Sequence, residues 1–311
     1  MPAHRIDVHQ HLWPEPFLAA LERRAEPPLL RRCGDGMTLV LAGEPAAPFH
    51  AAPHDPGRRR AALRADGVDR ALVCLSSPLG IEALPRAEAQ PLLDAWHEGV
   101  LALGEPFGVW GAVALDRARA RDADALLDRG AVGLSLPAAA FTTPGAVDGV
   151  LPLLRAVEAR NAPLLVHPGA VPPGTLTPPW WPAAVGYVAE LHTAWHGFAA
   201  WARPHLDTLR VVFAALAGGA PLHVERLAGR GGPAAAAFDP LTFYDTSSYG
   251  PRAIEAVGGV VGLDQLVHGS DRPVLAAPPE HGLGAAGDHA LTTTNPARLL
   301  TGAPAALEVA A

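Results

Sequence analysis

The sequence predicts an α/β fold, a (β/α)8 TIM barrel with a Pro-rich insertion after strand one, on three observations. Eight short apolar runs recur along the chain, stretches of helical periodicity separate them, and 311 residues suffice for eight such units in one domain. Most runs lack strict polar alternation, as strands buried on both faces should.

The predicted strands are RIDVHQH (5–11), RALVCLSS (70–77), GVWGAVAL (108–115), AVGLSLP (131–137), PLLVHPG (163–169), RVVFAALAGG (210–219), LTFYDTSS (241–248) and QLVHGSD (265–271). Helices are expected in DPGRRRAALRADG before the second run, DADALLDRG after the third, VDGVLPLLRAVEARN after the fourth and PRAIEAVGGVVG after the seventh. Two stretches break the rhythm. Residues 13–56 form the Pro-rich insertion, with a small hairpin expected around MTLVLAG, and PGAVPPGTLTPPWWP (168–182) follows the fifth run. Both fall at the C-terminal mouth, where such barrels carry their chemistry, and so are expected to wall or cover a substrate. Residues 1–311 are expected to form one domain.

Composition narrows the function. A net charge of −7 offers no basic stripe for phosphates, so nucleic acid and anionic membranes are poor partners and a small-molecule substrate is expected. No signal-like leader and no apolar run of about 18 residues is seen, and a cytoplasmic location is expected. Cys33 and Cys74 are too few for a disulfide framework or a thiolate cage. All 24 basic residues are Arg. Without Lys there is no Schiff base, no pyridoxal phosphate anchor and no P-loop.

His9 and His11 are two apart on a predicted strand and therefore share a face. His167 ends the fifth strand and Asp271 the eighth. Three neutral imidazoles and a carboxylate at one barrel mouth suit Zn²⁺ and tolerate Mn²⁺ or Fe²⁺.

DVHQH, LLVHPG, GGAPLHVERL, FYDTSS, GSDRP and TTTNPARLL, in that order, resemble the amidohydrolase superfamily. The likeness is greatest to its amidohydrolase-2 branch, which holds aminocarboxymuconate semialdehyde decarboxylase, other non-oxidative aromatic decarboxylases, and lactone or amide hydrolases. The resemblance implies that His9, His11, His167 and Asp271 hold one divalent metal ion, that Asp271 also moves protons, and that the chain forms a homodimer. A second metal bridged by a carboxylated Lys is excluded here. The branch usually places a His where this chain has Ala215 in VVFAALAGG, and His223 is the candidate catalytic replacement. Arg272 is a candidate to hold a substrate carboxylate or to pair with a neighbouring acid, and Trp180 and Trp181 are candidates for a substrate platform.

Other polar groups receive plainer readings. His192 and His196, one helical turn apart, are a second metal pair or a pocket edge; Arg58, Arg59 and Arg60 are a solvated helix face; His54, His97, His268 and His281 are packing or surface residues. Ser247 and Ser248 lack the setting of a nucleophile. The function expected first is hydrolysis of a small cyclic or aromatic amide or lactone by metal-activated water, with Asp271 passing the proton. The alternatives are non-oxidative decarboxylation of an aromatic or muconate-like acid, and a non-catalytic metal-binding or ligand-binding barrel.

Overall fold

The computed structural model describes residues 4–34, 36–42, 45–170, 177–275 and 281–302. In chain order, β1 (Ile6–His11) leads to α1 (Glu15–Glu22), then to β2 (Leu29–Cys33), β3 (Gly36–Val40) and β4 (Ala47–Phe49), then to α2 (Pro56–Asp66). The strand-helix units that follow are β5 (Arg70–Cys74) with α3 (Arg86–Leu101), β6 (Phe107–Ala112) with α4 (Ala120–Asp128), and β7 (Gly133–Pro137) with α5 (Pro144–Ala159). Next come β8 (Leu164–His167) with α6 (Tyr187–Gly197), β9 (Val211–Phe213) with α7 (Val224–Ala228), β10 (Thr242–Asp245) with α8 (Pro251–Val261), and β11 (Leu266–Val267) with α9 (Gly284–His289) and α10 (Asn295–Thr301).

The eight-stranded sheet runs β1-β5-β6-β7-β8-β9-β10-β11, every pair parallel. It closes because the segment after β11 pairs with β1: Val8 N–H donates to His268 O at 2.9 Å, His11 N–H to Arg272 O at 2.6 Å, and Asp271 N–H to His9 O at 2.9 Å. All eight predicted runs contribute a strand. No helix among the described residues is long and apolar enough to cross a membrane.

The insertion differs from its prediction. Where a Pro-rich excursion with a small hairpin around MTLVLAG is expected, the described residues of 13–56 carry α1 and a three-stranded antiparallel sheet, β2-β3-β4. Leu30 is buried, and Met37, Leu39 and Phe49 pack against the same cluster, so these short strands have an apolar face to cover. The sixth run also departs. Only Val211–Phe213 is strand; Ala215 to Gly219 turn left-handed, with φ between 47 and 73°. Three of those residues carry a Cβ, and left-handed backbone costs such residues roughly 1–2 kcal/mol each. The turn carries Ala215 N–H to Asp245 Oδ1 at 3.0 Å, an acceptor at the mouth.

Ile6, Val8, Leu72, Trp110, Leu165, Val212, Phe243 and Val267 share one buried apolar cluster, formed by residues of seven barrel strands. Above it, β1 bulges. Asp7 pairs with Ala71 and Gln10 with Val73, three steps against two, so one extra residue enters β1 between them. A bulge resets which side chains point inward. Val8 therefore joins the interior cluster and His9 and His11 still face the mouth. Asp7 holds the bulge: its Oδ1 accepts from His9 N–H and Ser270 N–H, each at 3.1 Å, and its Oδ2 from Gln10 Nε2 at 2.6 Å.

Arg59 corrects another reading. It is not on a solvated face but 4% exposed, and its guanidinium donates to His11 O at 3.1 Å, to Arg272 O at 3.4 Å and to the Gln10 side chain. One residue of α2 thus joins the two chain segments that close the barrel.

Packing sets two expectations for stability. A Cβ on Gly197 would sit 1.8 Å from the backbone oxygen of Phe141, which no rotamer change relieves. Gly197→Ala is expected to destabilise the fold by about 3 kcal/mol, read from urea unfolding; a loss under about 1 kcal/mol would show that α6 shifts freely. His97, on α3, is buried and its Nε2 accepts from Ala112 N–H at 3.0 Å, so the ring must be neutral. Burial, helped by the Arg129 charge, lowers its pKa from 6.5 to about 3. The unfolded chain therefore binds this proton first, and stability present above pH 6.5 is lost as pH falls toward 3, by about 1.4 kcal/mol per unit. His97→Gln keeps a donor and an acceptor but cannot titrate. Its stability should fall less steeply than that of the parent below pH 6.5, and parallel pH profiles would refute the assignment.

Candidate metal centre

β1, β8 and the segment after β11 bring His9, His11, His167 and Asp271 together at the mouth. The three rings are mutually edge-on, with centroids 4.9 to 5.0 Å apart. His9 Nε2 lies 3.3 Å from His11 Nε2, and Asp271 Oδ1 lies 3.1 Å from His11 Nε2 and 3.7 Å from His9 Nε2. Ligand atoms about 2.1 Å from a common tetrahedral ion are about 3.4 Å apart, so these separations match.

The other ring nitrogens explain the convergence. His9 Nδ1 faces Asp245 Oδ2 at 2.7 Å, His11 Nδ1 faces the Cys74 carbonyl at 3.1 Å, and His167 Nδ1 faces the Pro168 carbonyl at 2.8 Å. Each acceptor selects the tautomer that carries its proton on Nδ1. Each Nε2 is thereby left a lone pair aimed at the shared centre, the arrangement metal-binding imidazoles require. Asp245 is itself held by Ala215 N–H, Ser247 N–H at 2.8 Å and the Ser247 hydroxyl. Ser247 is thus a support for Asp245, in keeping with its rejection as a nucleophile.

Charge reinforces the geometry. Burial alone would lower both imidazoles of β1. Asp245 and Cys74 nevertheless carry His9 well above 6.5, and Cys74 and Asp271 carry His11 to about 9. His167 goes the other way, pushed well below 6.5 by burial and by the His9 and His11 charges. Against its burial, Asp271 is held down to about 2 by His11, His9 and His167. The mouth favours positive charge, and a divalent ion satisfies it with all three rings neutral. The residues present fit such an ion.

Cys74 was missed by the sequence reading. It ends β5 facing inward, its Sγ is 3.5 Å from His11 Nδ1, and it belongs with His9, His11 and His167 to a buried group whose ligand atoms all lie within 4.8 Å of one another. Burial raises the thiol, but His11 and His9 outweigh it and bring Cys74 to about 7. No sequence signal marked this residue beyond its place on an inward-facing position of a strand.

The remaining predicted residues stand elsewhere. Arg272 pairs with Asp66 at 2.7 Å, the scaffold alternative of its two readings. Trp180 and Trp181 are 58% and 41% exposed, with rings 5.6 Å apart; part of their loop, residues 171–176, lies outside the described residues. His223 is exposed and neighbours His192, with ring centroids 5.1 Å apart, and is not brought to the cluster. His268 and His281 are buried and joined at 3.0 Å, with His281 also bound to Asp288 at 2.8 Å, which fits their reading as packing residues.

No protein-family model matches the chain, and no curated protein matches it either. Solved structures do. IDCase from Metarhizium anisopliae in apo form aligns with a TM-score of 0.79 at 17% identity, covering 96% of this chain and 97% of the other. A protein described as amidohydrolase II aligns at 0.71 and 19%, covering 96% and 99%. A 5-carboxyvanillate decarboxylase variant from Novosphingobium aromaticivorans, with bound manganese and 3-methoxy-4-hydroxy-5-nitrobenzoic acid, aligns at 0.75 and 18%, covering 96% and 97%. By barrel order and these alignments, the chain has the fold of these structures, the amidohydrolase-2 fold.

Proposed function

We propose that this protein is a metal-dependent carboxy-lyase that removes CO2 from a small hydroxylated aromatic or similarly unsaturated acid. The observation that carries the reading is the make-up of the mouth: three lone-pair-bearing imidazoles, the Asp271 carboxylate, and Ala215 where a further base would be expected. Hydrolysis leans on an activated water and gains from a second base, and His223 stands away from the cluster. Decarboxylation needs one group that delivers a proton to carbon. The decarboxylase neighbour with an aromatic acid analogue supports the same choice.

His9, His11 and His167 through Nε2, with Asp271 through Oδ1, would hold the ion. When bound, a divalent ion supplies the positive charge that gathers a substrate carboxylate and an adjacent oxygen. Beside a bound divalent ion, Asp271 would meet the substrate ionised. It therefore first accepts the proton of a substrate hydroxyl and then gives it to the carbon bearing the carboxylate. The bond from that carbon to the carboxylate breaks, its electron pair restores the ring, and CO2 departs. Trp180 and Trp181 are proposed to flank the approach of a flat substrate. Imidazole-rich ligation favours Zn²⁺ by ligand chemistry, while the decarboxylase neighbour holds manganese. Elemental analysis of protein purified without added metal distinguishes them.

The test is CO2 release from a panel of hydroxybenzoic and related acids, run beside a panel of lactones and cyclic amides. Release from at least one acid is expected. Turnover of a lactone or amide with no CO2 from any acid would overturn the reading in favour of hydrolysis.

A further inference from the structure

A second group of histidines gathers away from the barrel mouth. His192 and His196 lie one turn apart on α6, with ring centroids 4.9 Å apart, and His223 places its ring 5.1 Å from His192. Two of its three pairs thus approach as closely as those of the mouth cluster, while His196 and His223 make no ring contact and, unlike the mouth residues, the trio does not bring all its ligand atoms within 4.8 Å. The surroundings differ. His192 and His196 are half-buried and His223 is exposed, and their ring nitrogens make no hydrogen bond to another described residue. Burial and the neighbouring imidazoles lower both His192 and His196, which keeps these rings neutral and their lone pairs free at neutral pH. Two imidazoles at i and i+4 on a helix face the same side and can chelate one ion. A donor set of nitrogens alone disfavours Mg²⁺ and Ca²⁺ and selects the later first-row ions.

We propose that His192, His196 and His223 form a second, surface site for one late first-row divalent ion such as Zn²⁺, with water completing its shell. His192 is the shared ring, flanked by His196 one turn along α6 and by His223 from the segment after β9. The exposed His223 side chain can turn toward the helical pair without disturbing the core. An ion held there fastens α6 to the segment that contains the left-handed turn. The two are already close, since a Cβ on Gly218 would lie 2.4 Å from the Val188 backbone oxygen. The site thus braces the strained turn that brings the Ala215 amide to Asp245.

The experiment is equilibrium dialysis of the metal-free full chain against Zn²⁺, with elemental analysis of the wild type, His192→Ala/His196→Ala and His223→Ala. Two ions are expected in the wild type and one in the double variant. In His223→Ala the second ion is expected to bind roughly 10–100-fold more weakly. A wild type with one ion and a double variant with none would also support this site, while removing the ion from the mouth. Equal zinc content and affinity in wild type and double variant would overturn the proposal. Should the double variant fail to fold, the exposed His223→Ala variant is the deciding measurement: affinity unchanged from the wild type sinks the three-histidine site.

Discussion

Asp271→Asn is expected to lower kcat for CO2 release by roughly 10²–10⁴-fold while the protein keeps its ion. The asparagine oxygen still faces the cluster beside His11 and His9, and three imidazoles remain to bind. What the variant lacks is a group that can accept a proton and give it back. In the parent that group enters the cycle ionised, as a carboxylate beside a divalent ion is. Steady-state CO2 release and metal content should be measured on the same sample. If the ion leaves together with activity, ligation through Oδ1 accounts for the loss and the role of Asp271 as proton carrier loses its support. Activity within threefold of the parent would remove that role altogether.

Asp7→Ala is expected to cost at least about 3 kcal/mol of stability and to weaken metal binding with it. The substitution strips the acceptor from three buried donors, His9 N–H, Ser270 N–H and Gln10 Nε2, and each unsatisfied donor costs roughly 1–3 kcal/mol. It also removes the negative charge that favours the buried Arg59 guanidinium, whose pKa burial lowers to about 10. The metal effect follows from the bulge. Asp7 fixes the extra residue of β1, and that residue decides whether His9 and His11 reach the mouth. Urea unfolding with and without Zn²⁺ reads both consequences. A loss below about 1 kcal/mol with unchanged metal affinity would show that the barrel closure holds the bulge without this carboxylate.

The periodicity of short apolar runs was enough to read an eight-stranded parallel barrel, because buried parallel strands need uninterrupted apolar stretches and the helices that cover them need a 3.6-residue repeat. Both are local properties. His9, His11, His167 and Asp271 could be singled out for a similar reason, each sitting at or near the end of such a run, and the structure brings their side chains together at the mouth. The inserted segment was harder to read, since β2, β3 and β4 are short and half-exposed and carry little periodic signal.

What only the tertiary structure decided depends on partners far away in the chain. Asp7 and Ser270 are 263 residues apart, Asp245 and His9 are 236, and Arg59 and Arg272 are 213. A bulge, a buried guanidinium and an inward thiol at Cys74 have no local signature, because each is stabilised by groups that meet only when the barrel closes. The left-handed turn after β9 belongs with them: its residues disfavour that backbone on their own, and a turn that is costly locally persists because distant acceptors reward it. The amino-acid sequence by itself determined the strands, the helices and the residue types at the candidate site through local periodicity and residue chemistry; closure of the sheet decided the direction in which each of those side chains points.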